Sequence, residues 1–289
     1  MPCYSPLDGW LSQSRNASGR RSVVFDAAQG FRDRRVTVPC GQCIGCKLER
    51  SRQWAVRCMH EASLHDANCF VTMTYDDEHL PEDGSLDRRA FPLFMKRLRK
   101  RYAGIPIRYY HAGEYGDRFG RPHYHSLLFG FDFPDKTPLA TRNGVPVWRS
   151  TELEQLWDKG LSEIGTVTFE SAAYVARYCT KVITGEKAEE YYQGREKEYS
   201  TMSRRPGIGK EWYEKYRCEV YPEDGVVVRG KLCKPPRYYD GQHEITSPEE
   251  MARIKRARRK AQKPDEERSS RLLARREVAE ARQKLFAGK

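Results

Sequence analysis

Two imidazoles stand at alternate positions in the segment HYHSLLFGF, His123 and His125. On an extended strand alternate side chains leave the same face, so the pair is predicted to grip one cation from neighbouring positions. Two nitrogen ligands do not complete a metal shell. Glu114 lies just upstream in IRYYHAGEYG, and a hairpin through DRFGRP brings its carboxylate to the same face. Two imidazoles and one carboxylate leave coordination positions open for phosphate oxygens, which suits Mg2+ or Mn2+. The rival reading is an ordinary half-buried strand, since a lone H-x-H pair arises readily by chance.

The segment SAAYVARYCTKVI adds a second chemistry. Tyr174, Tyr178 and Lys181 fall at i, i+4 and i+7, so a helix lines up two phenols and one ammonium on one stripe. A tyrosine attacks phosphorus once its phenol, with an ordinary pKa near ~10, gives up its proton. A divalent cation polarises the phosphate, and Lys181 offsets negative charge on the phosphate or the phenolate. Aromatic residues at helical spacing also serve plain packing, but a lysine on the same stripe is rarely buried without a partner.

Cys40, Cys43 and Cys46 give the spacing C-x-x-C-x-x-C, which lets three thiolates meet at one ion. A closed structural Zn2+ site needs a fourth ligand, from Cys3, Cys58 or Cys233; Cys3 would anchor the N-terminal segment to the core. An iron–sulfur cluster is the alternative use of such cysteines.

The elements that must position these residues read as follows. The first ~38 residues are polar and rich in turn formers, and predict a loop-rich arm. A helix is expected from about Lys47 to Leu64, and a buried strand over Cys69 to Tyr75 in CFVTMTYDD. Asp87 is the expected N-cap of a helix to about Tyr102, with Phe91, Phe94, Met95 and Leu98 on one face. Two strands in IRYYHAGEYG and HYHSLLFGF follow, then a proline-bearing loop and a short helix over Glu152 to Trp157. A strand around Ile164 to Phe169 and a helix over Ser171 to Ile183 complete the series. That order predicts an α+β fold, helices on a sheet. A turn-rich segment with a short helix, SRRPGIGKEWYEKY, comes next, and two helical stretches parted at Pro264 end the chain. Three regions are expected: residues 1–66, with the arm, the cysteine cluster and a helix; 67–246, with the chemistry; and 247–289, a basic helical tail.

The chain has 289 residues with 38% hydrophobic and 11% aromatic content, including 17 tyrosines, enough to bury a core. Its charged fraction of 32% and mean hydropathy of −0.82 also imply well-solvated segments. A net charge of +12 favours a polyanionic partner, nucleic acid above all, because bound phosphates release counterions. About seven of those charges belong to the tail beyond Ser247, where phosphate contact and simple solvation are both open readings. No apolar run reaches the ~20 residues of a transmembrane helix and the N-terminus lacks a secretory pattern, so a cytoplasmic protein without a membrane partner is expected. Nine cysteines in that compartment stay reduced and favour metal binding or core packing over disulfides.

Three stretches, FVTMTY, GEYGDRFGRPHYHSLLFG and YVARYCTK, resemble in order and spacing the three motifs of HUH rolling-circle replication initiators. The tyrosines separated by three residues are similar to those of the Microviridae. PCGQCIGCKLERSRQWAVRCMHE and SRRPGIGKEWYEKY resemble initiators of its gokushovirus branch. The resemblance covers roughly Cys40 to Tyr216. It implies the HUH endonuclease fold, a central antiparallel sheet flanked by helices, with an N-terminal cysteine cluster and a basic helical C-terminal tail. It further implies that His123, His125 and Glu114 bind the metal, that Tyr174 and Tyr178 are nucleophiles followed by Lys181, and that Thr72 and Tyr75 mark the first motif. One position departs: Tyr124 stands where the family carries an aliphatic residue. Its side chain is expected to point outward from the strand.

The implied activity is a metal-dependent endonuclease and strand transferase that nicks single-stranded DNA at a replication origin through a 5′-phosphotyrosine intermediate. Its partners would be that DNA and the host replication machinery, and its location the host bacterial cytoplasm. No Walker A sequence accompanies it, so no attached helicase is expected. Two other readings compete: a non-catalytic zinc-containing nucleic-acid-binding protein whose tyrosines stack bases, and a plasmid mobilisation relaxase. Relaxases carry a longer histidine triad, and Ser126 after HYH argues against one.

Overall fold

A computed structural model describes residues 3–17, 19, 21–116, 119–142, 144–183, 185, 187–261 and 268–287, with backbone alone at 178–181, 187, 284, 286 and 287. The chain divides into two compact units, one of residues 1–50 with 256–289 and one of 51–255.

The first unit holds a three-stranded antiparallel sheet of β1 (Leu7–Ser12), β2 (Val23–Val24) and β3 (Gly30–Val38) in the order β2-β1-β3. Sequence reasoning expected an irregular arm here. The arm is instead a small sheet with few buried side chains, and such a sheet lacks the apolar alternation that reveals a half-buried strand. Helix α1 (Ile44–Ala62) begins within this unit, and α9 (Ser269–Ala287) also belongs to it.

The second unit is built on a seven-stranded antiparallel sheet. Its strands are β4 (Asn68–Thr74), β5 (Arg108–Tyr115), β6 (Pro122–Phe129), β7 (Thr137–Arg142), β8 (Val145–Arg149), β9 (Ser162–Gly165) and β10 (Tyr199–Met202). They lie in the order β10-β5-β6-β4-β9-β8-β7. The expected hairpin of β5 and β6 is present, with Glu114 opposite His123 and Ala112 opposite His125. On the other side of β6, Thr72 of β4 lies opposite His125 and Thr74 opposite His123. Two further segments are strands that the sequence did not reveal: the proline-bearing loop is the exposed β7–β8 hairpin, and YSTM adds β10 to the edge beside β5.

Helices α2 (Ala90–Arg101) and α3 (Thr151–Trp157) contribute to one sheet-face core. Phe91, Phe94, Met95 and Leu98 of α2 form its buried stripe, as their spacing predicts, packed with Val71, Met73, Tyr124 and Trp157. Asp87 does not cap this helix. Its carboxylate accepts from the Arg89 amide at 2.7 Å, so it closes a turn one step before the helix. Tyr124 departs from expectation in a similar way. It leaves the strand away from the histidines, but into this core rather than into solvent, with 0% exposure. Its hydroxyl accepts from the Asp87 amide at 2.8 Å and donates to the Asp87 carbonyl at 3.0 Å. A tyrosine fits where an aliphatic residue is usual because this backbone pair satisfies its hydroxyl.

The other sheet face packs against α1 and α4 (Phe169–Lys181), where Ala55, Cys58, Ala172, Val175 and Ala176 meet Tyr110, Ala112, Leu127 and Phe129. Sequence reasoning extended a strand to Phe169; β9 instead ends at Gly165, and Thr168 starts a helix. Its side chain accepts from the Ser171 amide at 3.1 Å while the Ser171 hydroxyl accepts from the Thr168 amide at 2.8 Å, a reciprocal capping box. Helices α5 (Lys187–Tyr192), α6 (Lys210–Val220), α7 (Arg237–Thr246) and α8 (Pro248–Lys260), with the hairpin of β11 (Val226–Val228) and β12 (Lys231–Cys233), complete the described elements. Among the described residues no helix is long and apolar enough to cross a membrane.

Candidate functional site

Strand register brings the sheet donors together. Because Glu114, Ala112, His123, His125, Thr72 and Thr74 are cross-strand partners, all six side chains leave the same sheet face. Glu114 Oε1 lies 2.9 Å from His125 Nε2, and both residues are 4% exposed. His125 Nδ1 lies 3.1 Å from Thr72 Oγ1. A hydroxyl both donates and accepts, so Thr72 suits either tautomer of His125, including the one that leaves Nε2 free to ligate an ion. The resemblance placed Thr72 in the first motif; only the register of β4 against β6 reveals its bond to the histidine.

His123 is held differently. Its ring lies nearly parallel to that of His125, at 12° and 6.4 Å between centroids, and its Nε2 faces Gly116. A Cβ at position 116 would stand 2.7 Å from that nitrogen, so any larger residue there would displace the His123 ring. Burial, followed by the charge of His125, holds the His123 pKa below the usual histidine value against the pull of Glu114. The imidazole is therefore neutral at pH 7 and available as a ligand.

Tyr174 stands on the same sheet face. Its ring meets that of His125 edge-on at 5.1 Å between centroids, and Phe70 closes the aromatic group at 6.5 Å from Tyr174. Tyr174 is 37% exposed, so a phenol open to solvent sits beside a buried His–Glu pair. Tyr178 and Lys181 lie on α4 as predicted, but their side chains lie outside the described residues. The chemistry of two imidazoles and a carboxylate fits a divalent cation with open positions. Two of the donors, Glu114 and His125, are already in contact.

A second donor group lies in the first unit. The Sγ atoms of Cys3, Cys40, Cys43 and Cys46 all fall within 4.8 Å of one another, forming a group able to hold a metal such as zinc. The expected fourth member, Cys3, is the one present. Cys58 is instead fully buried in the α1 and α4 core, and Cys233 pairs with Val226 in the β11–β12 hairpin. Backbone amides point at the sulfurs, with Tyr4 donating to Cys43, Cys40 to Cys3 and Cys43 to Cys40, each at 3.3 Å. Burial pushes the Cys43 thiol up, but hydrogen bonds from the Tyr4 and Cys46 backbone and the neighbouring thiols outweigh it and bring the pKa to about 6. Burial raises those of Cys3 and Cys46.

Fold and site together define an α+β protein whose antiparallel sheet presents two imidazoles and a carboxylate beside a helix-borne phenol. Residues 68–183, the stretch that carries this arrangement, match the family model of Replication-associated protein ORF2/G2P. The chain is 36% identical over 261 residues to replication-associated protein VP4 of Bdellovibrio phage phiMH2K, spanning 86% of this chain and 79% of that one. It is 35% identical over 221 residues to replication-associated protein ORF2 of Spiroplasma virus 4, spanning 72% and 68%. With replication-associated protein ORF4 of Chlamydia phage 1 it shares 30% identity over 211 residues, spanning 70% and 52%. No solved structure matches the chain significantly. The chain belongs to the replication-associated protein family of the Microviridae.

Proposed function

We propose that this protein initiates rolling-circle replication as an HUH-type strand transferase, nicking single-stranded DNA at an origin and staying joined to the cut 5′ end. The observation that carries the reading is the packing of Tyr174 against His125, which is itself bonded to Glu114. It sets a solvent-open phenol beside donors suited to a divalent ion, and the family membership supplies the link to replication.

In this mechanism a tyrosine oxygen, from Tyr174 or Tyr178, attacks the scissile phosphorus. A new bond forms between phosphorus and the phenolic oxygen while the bond to the 3′ oxygen breaks. The phenolic proton passes to solvent, and the departing 3′ oxygen takes up a proton to become the hydroxyl that host machinery extends. After one round the second tyrosine attacks the regenerated junction. The freed 3′-hydroxyl then attacks the first phosphotyrosine, closing a circle and restoring the phenol. Each step exchanges one phosphodiester for another, so strand transfer needs no ATP. His123, His125 and Glu114 would hold Mg2+ or Mn2+, which when bound supplies Lewis-acid polarisation of the phosphate. Thr72 fixes the His125 ring, and Lys181 offsets charge on the phosphate. The protein would act in the cytoplasm of a bacterial host. Incubation with labelled single-stranded fragments of its own genome plus Mn2+ should give a covalent protein–DNA band that EDTA prevents. DNA binding without any covalent band would favour a non-catalytic binding protein instead.

We also infer that the four thiols hold a structural Zn2+. Sulfurs on a tetrahedron with Zn–S bonds of ~2.3 Å stand about 3.8 Å apart, and Cys3 lies 3.7 Å from Cys40 and 3.9 Å from Cys43. Those separations are far from the ~2.05 Å of a disulfide. An iron–sulfur cluster, whose thiolates ligate different iron atoms, needs wider spacing. Mass spectrometry of the purified protein should find one zinc per chain, lost on Cys43→Ser. Iron with acid-labile sulfide would replace this reading.

A further inference from the structure

The segment SRRPGIG after β10 is not used by the site above, yet nearly every residue of it is fixed to the fold. Ser203 exchanges two bonds with Tyr109, its amide donating to the Tyr109 carbonyl at 3.0 Å and its hydroxyl accepting from the Tyr109 amide at 3.1 Å. Arg108 donates to the Pro206 carbonyl at 2.8 Å, and Arg57 Nε to the Ile208 carbonyl at 3.0 Å. Glu61, 1% exposed, pairs with Arg108 and accepts from the Gly209 amide at 2.6 Å. Ile208 is wholly buried. A Cβ on Gly207 would stand 2.5 Å from the Tyr238 hydroxyl. One on Gly209, at φ +76°, would stand 2.5 Å from that of Tyr239.

A buried ion pair carries a large desolvation cost, and its best-attested benefit is a unique geometry. Here the geometry it fixes is a turn, closed by a bridge between Arg204 and Gly207, whose exposed residues are Arg204 and Arg205. Neither arginine side chain makes a hydrogen bond or ion pair with any described residue. Some other exposed arginines of the same unit are neutralised, Arg88 by Glu196 at 2.6 Å, Arg101 by Glu152 at 3.3 Å and Arg142 by Glu163 at 2.6 Å, whereas Arg89 and Arg237 form no ion pair with a described residue. The PGIG residues are thus anchors, and the arginine pair is what they hold out.

We propose that the turn at 203–209 is a phosphate grip for single-stranded DNA, each arginine contacting one backbone phosphate. The adjoining end of β10 pairs Met202 with Tyr110, four residues along β5 from Glu114, or about 13 Å at ~3.3 Å per residue. The contacts therefore fall on phosphates other than the reacting one, and they position the strand without reading its sequence. The proposal rests on the initiator reading only in taking single-stranded DNA as the ligand.

The test is the affinity of the full-length chain for fluorescent single-stranded oligonucleotides across a salt series. Each phosphate contact contributes about 0.7 to the slope of log K against log salt on single strands. The Arg204→Ala/Arg205→Ala double variant should therefore lose about 1.4 of that slope and bind all sequences more weakly to a similar degree. Arg204→Lys/Arg205→Lys should restore most of it, because the charges return. An unchanged slope in the alanine variant, with an unchanged unfolding midpoint, overturns the proposal, as does a loss confined to one sequence. Wild-type binding with this slope but no covalent band would sink the nicking reading and leave the grip standing. Absence of any binding would sink both.

Discussion

The cysteine cluster gathers four sulfur donors to within 4.8 Å of one another, whereas the sheet site joins one imidazole to one carboxylate and keeps a second imidazole 6.4 Å away, ring to ring. Four thiolates satisfy a tetrahedral ion completely and leave no position for a substrate. Two imidazoles and a carboxylate leave positions open and stand next to an accessible phenol. The difference teaches what each donor set is suited to: closed thiolate ligation suits stability, and incomplete ligation by imidazole and carboxylate leaves room for chemistry on phosphate.

The sharpest break of this comparison lies in the phenols. Replacing Tyr174 and Tyr178 together by Phe should abolish the covalent DNA adduct, read on denaturing gels with an origin oligonucleotide. An adduct that survives the double change would remove the nucleophile assignment. Metal exchange comes next. A brief EDTA wash should abolish adduct formation and Mn2+ alone should restore it, while zinc content stays at one per chain. If restoration needed added zinc, the division into an open and a closed site would fail. Thr72→Val probes the sheet site more gently. Losing the partner that orients a ligating histidine costs about 10–100-fold in metal affinity, so the Mn2+ concentration for half-maximal adduct should rise by that factor, with zinc content unchanged.

The smallest effect concerns acid. Burial lowers the His60 pKa to about 3, with the ring stacked 3.5 Å from Trp212 and bonded to the Tyr239 hydroxyl at 3.0 Å. Above pH ~6.5 the neutral ring is at no disadvantage. As pH falls below that, the unfolded chain takes up a proton that the folded protein refuses until about 3. Stability should therefore decline across this window by up to ~1.4 kcal/mol per pH unit from this group. Buried His111 adds to the decline in the same direction. Urea unfolding at several pH values should show a shallower slope for His60→Gln. An identical slope would mean that His60 does not stay neutral in the fold.

Much of the second unit was legible from periodicity. The α2 stripe of Phe91, Phe94, Met95 and Leu98, the H-x-H strand and its hairpin with Glu114 follow from side-chain direction and turn residues, which act locally. The strands that escaped notice share a physical reason. β3 and β7 are largely exposed, β8 carries a proline, and β10 has four residues, so none offers an apolar face for a pattern to register. Tyr124 was read as outward-facing because alternation gives a face but not what covers it.

The sequence by itself determined the chemical inventory: which imidazoles share a strand face, which phenols share a helix stripe, and which thiols are close enough in the chain to meet. It also determined the family, through motifs whose order survives in the chain. The tertiary structure alone decided that Cys3 joins thiols some forty residues away, that Thr72 holds His125, and that Glu61 and Arg108 lock the PGIG turn. Those pairings join residues distant in sequence, and strand register and helix packing fix their separations, whereas the inventory depends only on near neighbours along the chain.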